Sequence, residues 1–137
     1  MRHRRKGKKL GVNPSHRRAL LANMAENLII HKRIKTTDSR AKELRRYIEP
    51  LVTKAKKGDL SSIRMIAKKI RHKNILSILL NDIAPLYDNR NGGYTRIIKL
   101  GLRDNDRASV SFIEFVDMEG TKKIKNTLVS KEIQETE

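Results

Sequence analysis

Four histidines, His3, His16, His31 and His72, are the residues of this chain best suited to hold a metal or move a proton. Their spacing supports neither use. No cysteine stands in the sequence to complete a ligand set, so no metal site is expected. His16 and His31 fall near opposite ends of one predicted helix, too far apart to act as an acid/base pair. The carboxylates are scattered; only Asp104 and Asp106 are close, in a turn where Asp is common for conformational reasons. No nucleophile stands beside a base. GxGxxG and phosphate-loop patterns are both absent. The expectation is therefore no enzyme, no cofactor and no small-molecule substrate.

What remains is cationic chemistry. Lys and Arg total 32 against 15 Asp and Glu, a net charge of +17. The imbalance is local: residues 1–73 hold 23 basic and 5 acidic residues, whereas 74–137 hold 9 and 10. A small soluble domain needs a net charge of only about 2–8 in magnitude. The excess repels itself in a compact state unless a polyanion neutralises it. Arg2, His3, Arg4, Arg5, Lys6, Lys8 and Lys9 open the chain without an acid among them. Arg17 and Arg18 oppose the dipole of the first predicted helix, whereas Lys32 and Arg33 suit its end. Lys35 comes next, then Arg40, Arg45 and Arg46 off the apolar stripe of a second helix. A last cluster, Arg90, Gly92, Gly93, Tyr94, Thr95 and Arg96, sets two glycines between arginines. There a backbone can approach a partner closely, and a tyrosine could stack or donate its hydroxyl.

The elements that must position these residues can be read from periodicity. Residues 1–12 have almost nothing to bury and read as an extended arm that orders on a partner. Asn13-Pro14 starts a helix whose stripe is Leu20, Leu21, Met24, Ala25, Leu28 and Ile29. Ile34–Thr37 is a short strand-like step, and Thr37 or Asp38 caps a second helix with Ala41, Leu44, Ile48, Leu51 and Ala55 inside. Pro50 should kink or shorten that helix, and Gly58 should end it. Asp59 caps a third helix. The fourth, from Asn74 to Ile83, is apolar over most of its circumference and is expected to be the central core helix, closed by Pro85. A loop from Leu86 to Gly93 leads to strands over Tyr94–Leu100 and Ala108–Val116 joined as a hairpin. The chain thus divides into an arm (1–12), a globular domain (13–117) and a polar tail (118–137) expected to be flexible.

The anion is nucleic acid or a membrane surface. No apolar run approaches the ~18 residues of a membrane span, and Leu21 and Leu28 serve better as core than as anchors. Nor is the basic start continued by an apolar stretch as in a secretory signal, and a cytosolic protein is expected. RNA is favoured over DNA because the charge spreads over an arm, two helices and a loop instead of one groove-reading helix. The chain has only five aromatic residues, too few for a single-strand stacking platform. A nucleoid protein and an RNase using His16 or His31 are the rival readings.

The sequence resembles the bacterial large-subunit ribosomal protein seventeen family. The resemblance rests on Met1–Arg4 with its basic run to Leu10, Ser15–Leu21, Asn23-Met24-Ala25, Ile34–Thr37, Arg40–Arg46 and Gly92–Ile97, covering residues 1 to about 117. It implies a two-layer α/β (α+β) domain in the order α-β-α-α-α-β-β. It also implies a structural role in the large subunit, near the peptide exit tunnel, with large-subunit ribosomal RNA and neighbouring ribosomal proteins as partners. By the same resemblance, RNA contact is expected at the arm, at Ser15, His16, Arg17 and Arg18, at Asn23, at Arg33, Lys35, Thr36 and Thr37, and at the Gly92–Arg96 loop.

Overall fold

The computed structural model describes His3 and residues 6–117, so the expectations for Arg2, Arg4, Arg5 and the tail fall outside the described residues. Helix α1 spans Pro14–His31, and its cap is the one expected: the Asn13 side chain accepts the His16 N–H at 2.8 Å. Lys32 ends it in the left-handed conformation, φ 65°, unusual for a residue with a β-carbon. Strand β1 (Arg33–Thr37) leads directly into helix α2 (Asp38–Lys57), which Gly58 terminates at φ 68°. The side chain of Asp59 then caps helix α3 (Leu60–Ala67) by accepting the Ser62 N–H.

Strands β2 (Thr95–Leu102) and β3 (Ser109–Phe115) form the expected hairpin, and β1 pairs antiparallel with the far side of β3. The sheet order is β1-β3-β2, so the last strand in sequence is the central one. A bulge between Lys99 and Gly101 shifts the register near the hairpin turn. Ile113 and Phe115 belong to the face that joins the helical core, while the alternate residues Phe112 and Glu114 point away from it. The result is the expected α+β domain of two layers, helices on one face of a three-stranded sheet.

Pro50 does not shorten α2, which continues as one element through it to the expected stop at Gly58. Ile48, Leu51 and Val52 on both sides of Pro50 are fully buried, and their packing holds the helix together despite the missing donor. The central helix is also α2, not the fourth. Helix α4 covers only Lys73–Ile78 and passes into a π turn (Leu79–Ile83) and a 3-10 turn (Ala84–Tyr87). The Ala84 N–H reaches back five residues to the Leu79 carbonyl, so the chain gains one residue in that turn. The inserted residue rotates the next turn of chain by about 100°, the angle between neighbouring helix residues. Ile83, Ala84 and Tyr87 thereby join the core, while Leu76, Ile78 and Leu80 stay only partly covered. Pro85 starts the 3-10 turn instead of closing the helix, and the expected loop from Leu86 therefore begins after Tyr87.

Candidate nucleic-acid interface

The predicted contact residues fall into three patches. The first lies where the arm meets the N-terminal ends of α1 and α2. Arg17 donates from Nε to the Lys9 carbonyl at 2.8 Å and from a terminal nitrogen to the Val12 carbonyl at 2.9 Å. It is half-buried and ties the arm to the domain. The Lys8 ammonium reaches the Ser39 hydroxyl at 3.5 Å. Lys6, Lys8 and Lys9 are thus carried past the first turns of the two helices, which bear the exposed Arg18 and Arg40. No acid occupies the first turn of α1, so its positive dipole end and these cations favour the same external anion. Ser15 donates its hydroxyl to the Asn13 side chain at 3.0 Å. Ser15, His16 and Asn23 share a shallow open hollow along α1 with Ala19 and Leu20.

The second patch is the outer face of the sheet. Glu114 on the middle strand accepts from Arg33 at 3.1 Å on one side and from Arg96 at 2.5 Å on the other. The Arg33 guanidinium also lies 3.9 Å from the centre of the Phe112 ring. Lys35 is exposed on the same face, opposite Phe112 in register. Two arginines from the sheet's edge strands are therefore held in fixed orientations over its centre. Thr36 and Thr37 are half-buried beside them. Lys32, half-buried, gives a hydrogen bond of 2.6 Å to the Ile29 carbonyl, and burial pushes its pKa below the usual lysine value despite Asp82 nearby.

The third patch is the glycine loop. Gly92 and Gly93 are exposed, as are Arg90 and Arg96 around them. Arg90 pairs with Asp117 at 2.7 Å. Tyr94 and Thr95 are instead buried, at 1% and 3% exposure. The Tyr94 ring packs 5.2 Å from that of Tyr87, and its hydroxyl meets Thr53 and Lys56 of α2. The loop therefore presents glycine backbone and arginines outward, and keeps its aromatic ring in the core.

The structure brings the arm, the start of α1 and the start of α2 together, with Arg45 and Arg46 exposed further along α2. It does not bring the glycine loop to them. That loop sits against Glu49, Thr53 and Lys56, about 14 to 24 Å along the helix from Arg40 at 1.5 Å per residue.

The acids explain why this surface stays positive. All five acidic residues of the basic half have partners within the chain. Glu26, 7% exposed, accepts the Arg71 N–H and a His72 ring contact; Asp38 meets Lys42 and the Ser111 hydroxyl; Glu43 meets Arg46. Glu49 accepts from Tyr94 and Thr95, and Asp59 caps α3. Among the described residues, the head groups of Lys6, Lys9, Arg18, Lys35, Arg40 and Arg45 meet no acid. Sequence reasoning missed Glu49, Glu114 and Phe112, whose partners are distant in sequence and leave no local pattern. Lys56 carried a signal as part of a basic run, but its contacts with Arg90 and Tyr94 did not.

Among the described residues no group of histidines and acids is arranged to hold a metal ion, and no helix is long and apolar enough to cross a membrane. The family model described as "Ribosomal protein L17" matches residues 20–116. A "Large ribosomal subunit protein bL17" of Rickettsia canadensis is 55% identical over 117 residues, covering 85% of this chain and 86% of its own length. The protein of that name in Geobacter sulfurreducens is 48% identical over 127 residues, 93% of this chain and 73% of its own. With the family pattern running through the helical layer and the whole sheet, the chain belongs to the ribosomal protein L17 family.

Proposed function

We propose that this chain holds large-subunit ribosomal RNA at three patches: the arm with the two helix starts, the outer sheet face, and the glycine loop, the last two meeting at Arg96. Family membership makes it a structural protein of the large ribosomal subunit and not an enzyme. Its place is accordingly on the bacterial ribosome in the cytoplasm, with ribosomal RNA and ribosomal proteins around it. The finer reading rests on one observation above all: every acid of the basic half is occupied inside the chain, while Lys6, Lys9, Arg18, Arg40 and Arg45 are exposed and meet no acid among the described residues. Such a surface needs phosphate as its counter-charge. Three patches on different elements suit a folded RNA whose backbone reaches the protein from several directions. The arm would thread into the RNA while the domain fixes its angle.

The test is sedimentation of cell extract through a high-salt sucrose gradient, then binding of the purified chain to large-subunit RNA and to duplex DNA. The expected result is co-migration with the large subunit and preference for the folded RNA. If about 6–10 phosphates are contacted, affinity should fall ~10³–10⁵-fold between 50 and 200 mM salt. Equal affinity for duplex DNA, or a salt response of only one or two contacts, would overturn the three-patch reading.

A further inference from the structure

We propose that Glu49, in the middle of α2, is the positioning residue for the glycine loop, so that the central helix determines where Gly92 and Arg90 meet RNA. The inference rests on the reading that this loop contacts RNA. Three donors converge on the Glu49 carboxylate: the Tyr94 N–H at 3.2 Å, the Thr95 N–H at 2.9 Å and the Thr95 hydroxyl at 2.8 Å. Two successive backbone amides and the side chain between the loop and β2 are thereby fixed to one residue of the helix. Charge-assisted bonds of this kind are short and roughly twice as strong as neutral ones. One and two turns further along the same face, Thr53 contacts the Tyr94 hydroxyl, and Lys56 donates to the Arg90 carbonyl. The stripe Glu49, Thr53 and Lys56 thus holds the loop at both ends and leaves its middle outside.

The two glycines at that middle differ in what they need. Gly93 has φ +60°, which favours glycine for conformational reasons. Gly92 has no positive φ, and a β-carbon added there would meet nothing within 4 Å. The fold does not require glycine at 92. A partner approaching the backbone closely would.

The test measures large-subunit RNA binding of the full chain as a function of salt, with nucleotide footprinting, for Glu49→Ala, Glu49→Gln and Gly92→Asp. Gly92→Asp enters open space and sets a negative charge against phosphate, so it probes the loop contact without disturbing the fold. It should lose the footprint beneath the loop and weaken binding. Glu49→Ala should lose the same footprint, keep those of the arm and sheet face, and reduce the salt slope by about one for each phosphate contact released. Glu49→Gln, which keeps one acceptor oxygen, should fall between Glu49→Ala and the native chain. Simple unfolding would lower the amount of active protein without changing the slope. A native slope and footprint in Glu49→Ala, with Gly92→Asp impaired, overturns the positioning role and leaves the loop contact standing. Native behaviour in Gly92→Asp removes the loop contact itself. Loss of every footprint in both Glu49 variants assigns the residue to folding alone and also overturns the proposal.

Discussion

Single carboxylates decide much of this protein's local order. Asp106 binds the Arg103 guanidinium in two places, at 2.9 and 2.5 Å, and accepts the Ala108 N–H. The Arg103 hydrogen bonds, then the amide, hold its pKa down to about 2 from 3.8. Asp38 is lowered chiefly by its hydrogen bond from Lys42, and Asp59 by those from Ser62. A carboxylate whose folded pKa is depressed contributes stability above its unfolded pKa and loses it as pH falls through the folded one. The thermal midpoint is therefore expected to fall as pH drops from about 4 to about 2. Asp106→Asn should flatten that fall in a calorimetric series across the same window. Glu26 acts differently, as a buried acceptor for the Arg71 N–H at 3.1 Å. Arg71 is exposed, so water can replace the acceptor, and Glu26→Ala should cost about 0.5–1.5 kcal/mol in urea unfolding. Of these, the Asp59 cap was legible in the sequence because it stands at a helix start; the Asp106 contacts and the Asp38–Lys42 pair are just as local but carry no such mark, and the partners of Glu26 are distant in sequence.

At the scale of elements, local signals were read well and long-range ones were not. The Asn13 and Asp59 caps, the Gly58 stop, the hairpin and the order of elements all depend on neighbours in sequence, and the structure has them, whereas Thr37 at the start of α2 makes no side-chain cap bond. Which helix is central depends on who packs against whom. The apolar run from Ile75 to Ile83 suggested the wrong helix because composition reports how much a segment can bury, not how much its neighbours cover. The π turn that rotates Tyr87 inward has no sequence mark in this chain. Ile48→Ala on α2, from a fully buried site, should cost about 2–5 kcal/mol. Leu76→Ala on α4 is only partly covered and should cost less than about 2 kcal/mol by the same reasoning. Equal losses in denaturant titrations would restore the fourth helix to the centre.

For the molecule as a whole, charge sets two opposed responses to salt. The basic half, with 23 cations and 5 acids, repels itself when free. Added salt screens that repulsion over a Debye length of about 10 Å at 0.1 M. The free chain should therefore melt at higher temperature as salt rises, while its RNA complex weakens over the same range; scanning calorimetry and filter binding test the pair. Deleting residues 1–12 should weaken RNA binding strongly and leave the helical circular dichroism nearly unchanged, since the arm's described contacts are to exposed or half-buried groups such as Arg17 and Ser39. Collapse of the helical signal in that deletion would mean the arm belongs to the core. The uneven charge was visible in the sequence at once. Its division into three patches was not, because it depends on sheet pairing and on the length of α2.

That length also bears on how the chain binds. A helix of 20 residues is a stiff rod of about 30 Å, and it holds the arm patch near one end and the glycine loop toward the other. With RNA bound at one end, as proposed, the other end would no longer search solution: it would be confined near its target at an effective concentration set by the rod instead of the cell. Binding then multiplies across the two ends when the RNA presents both sites at the right separation. An RNA that has formed only one of them gains no such avidity. On the proposed reading, a helix of this length would favour an RNA that presents both sites at the matching separation over one that presents either alone.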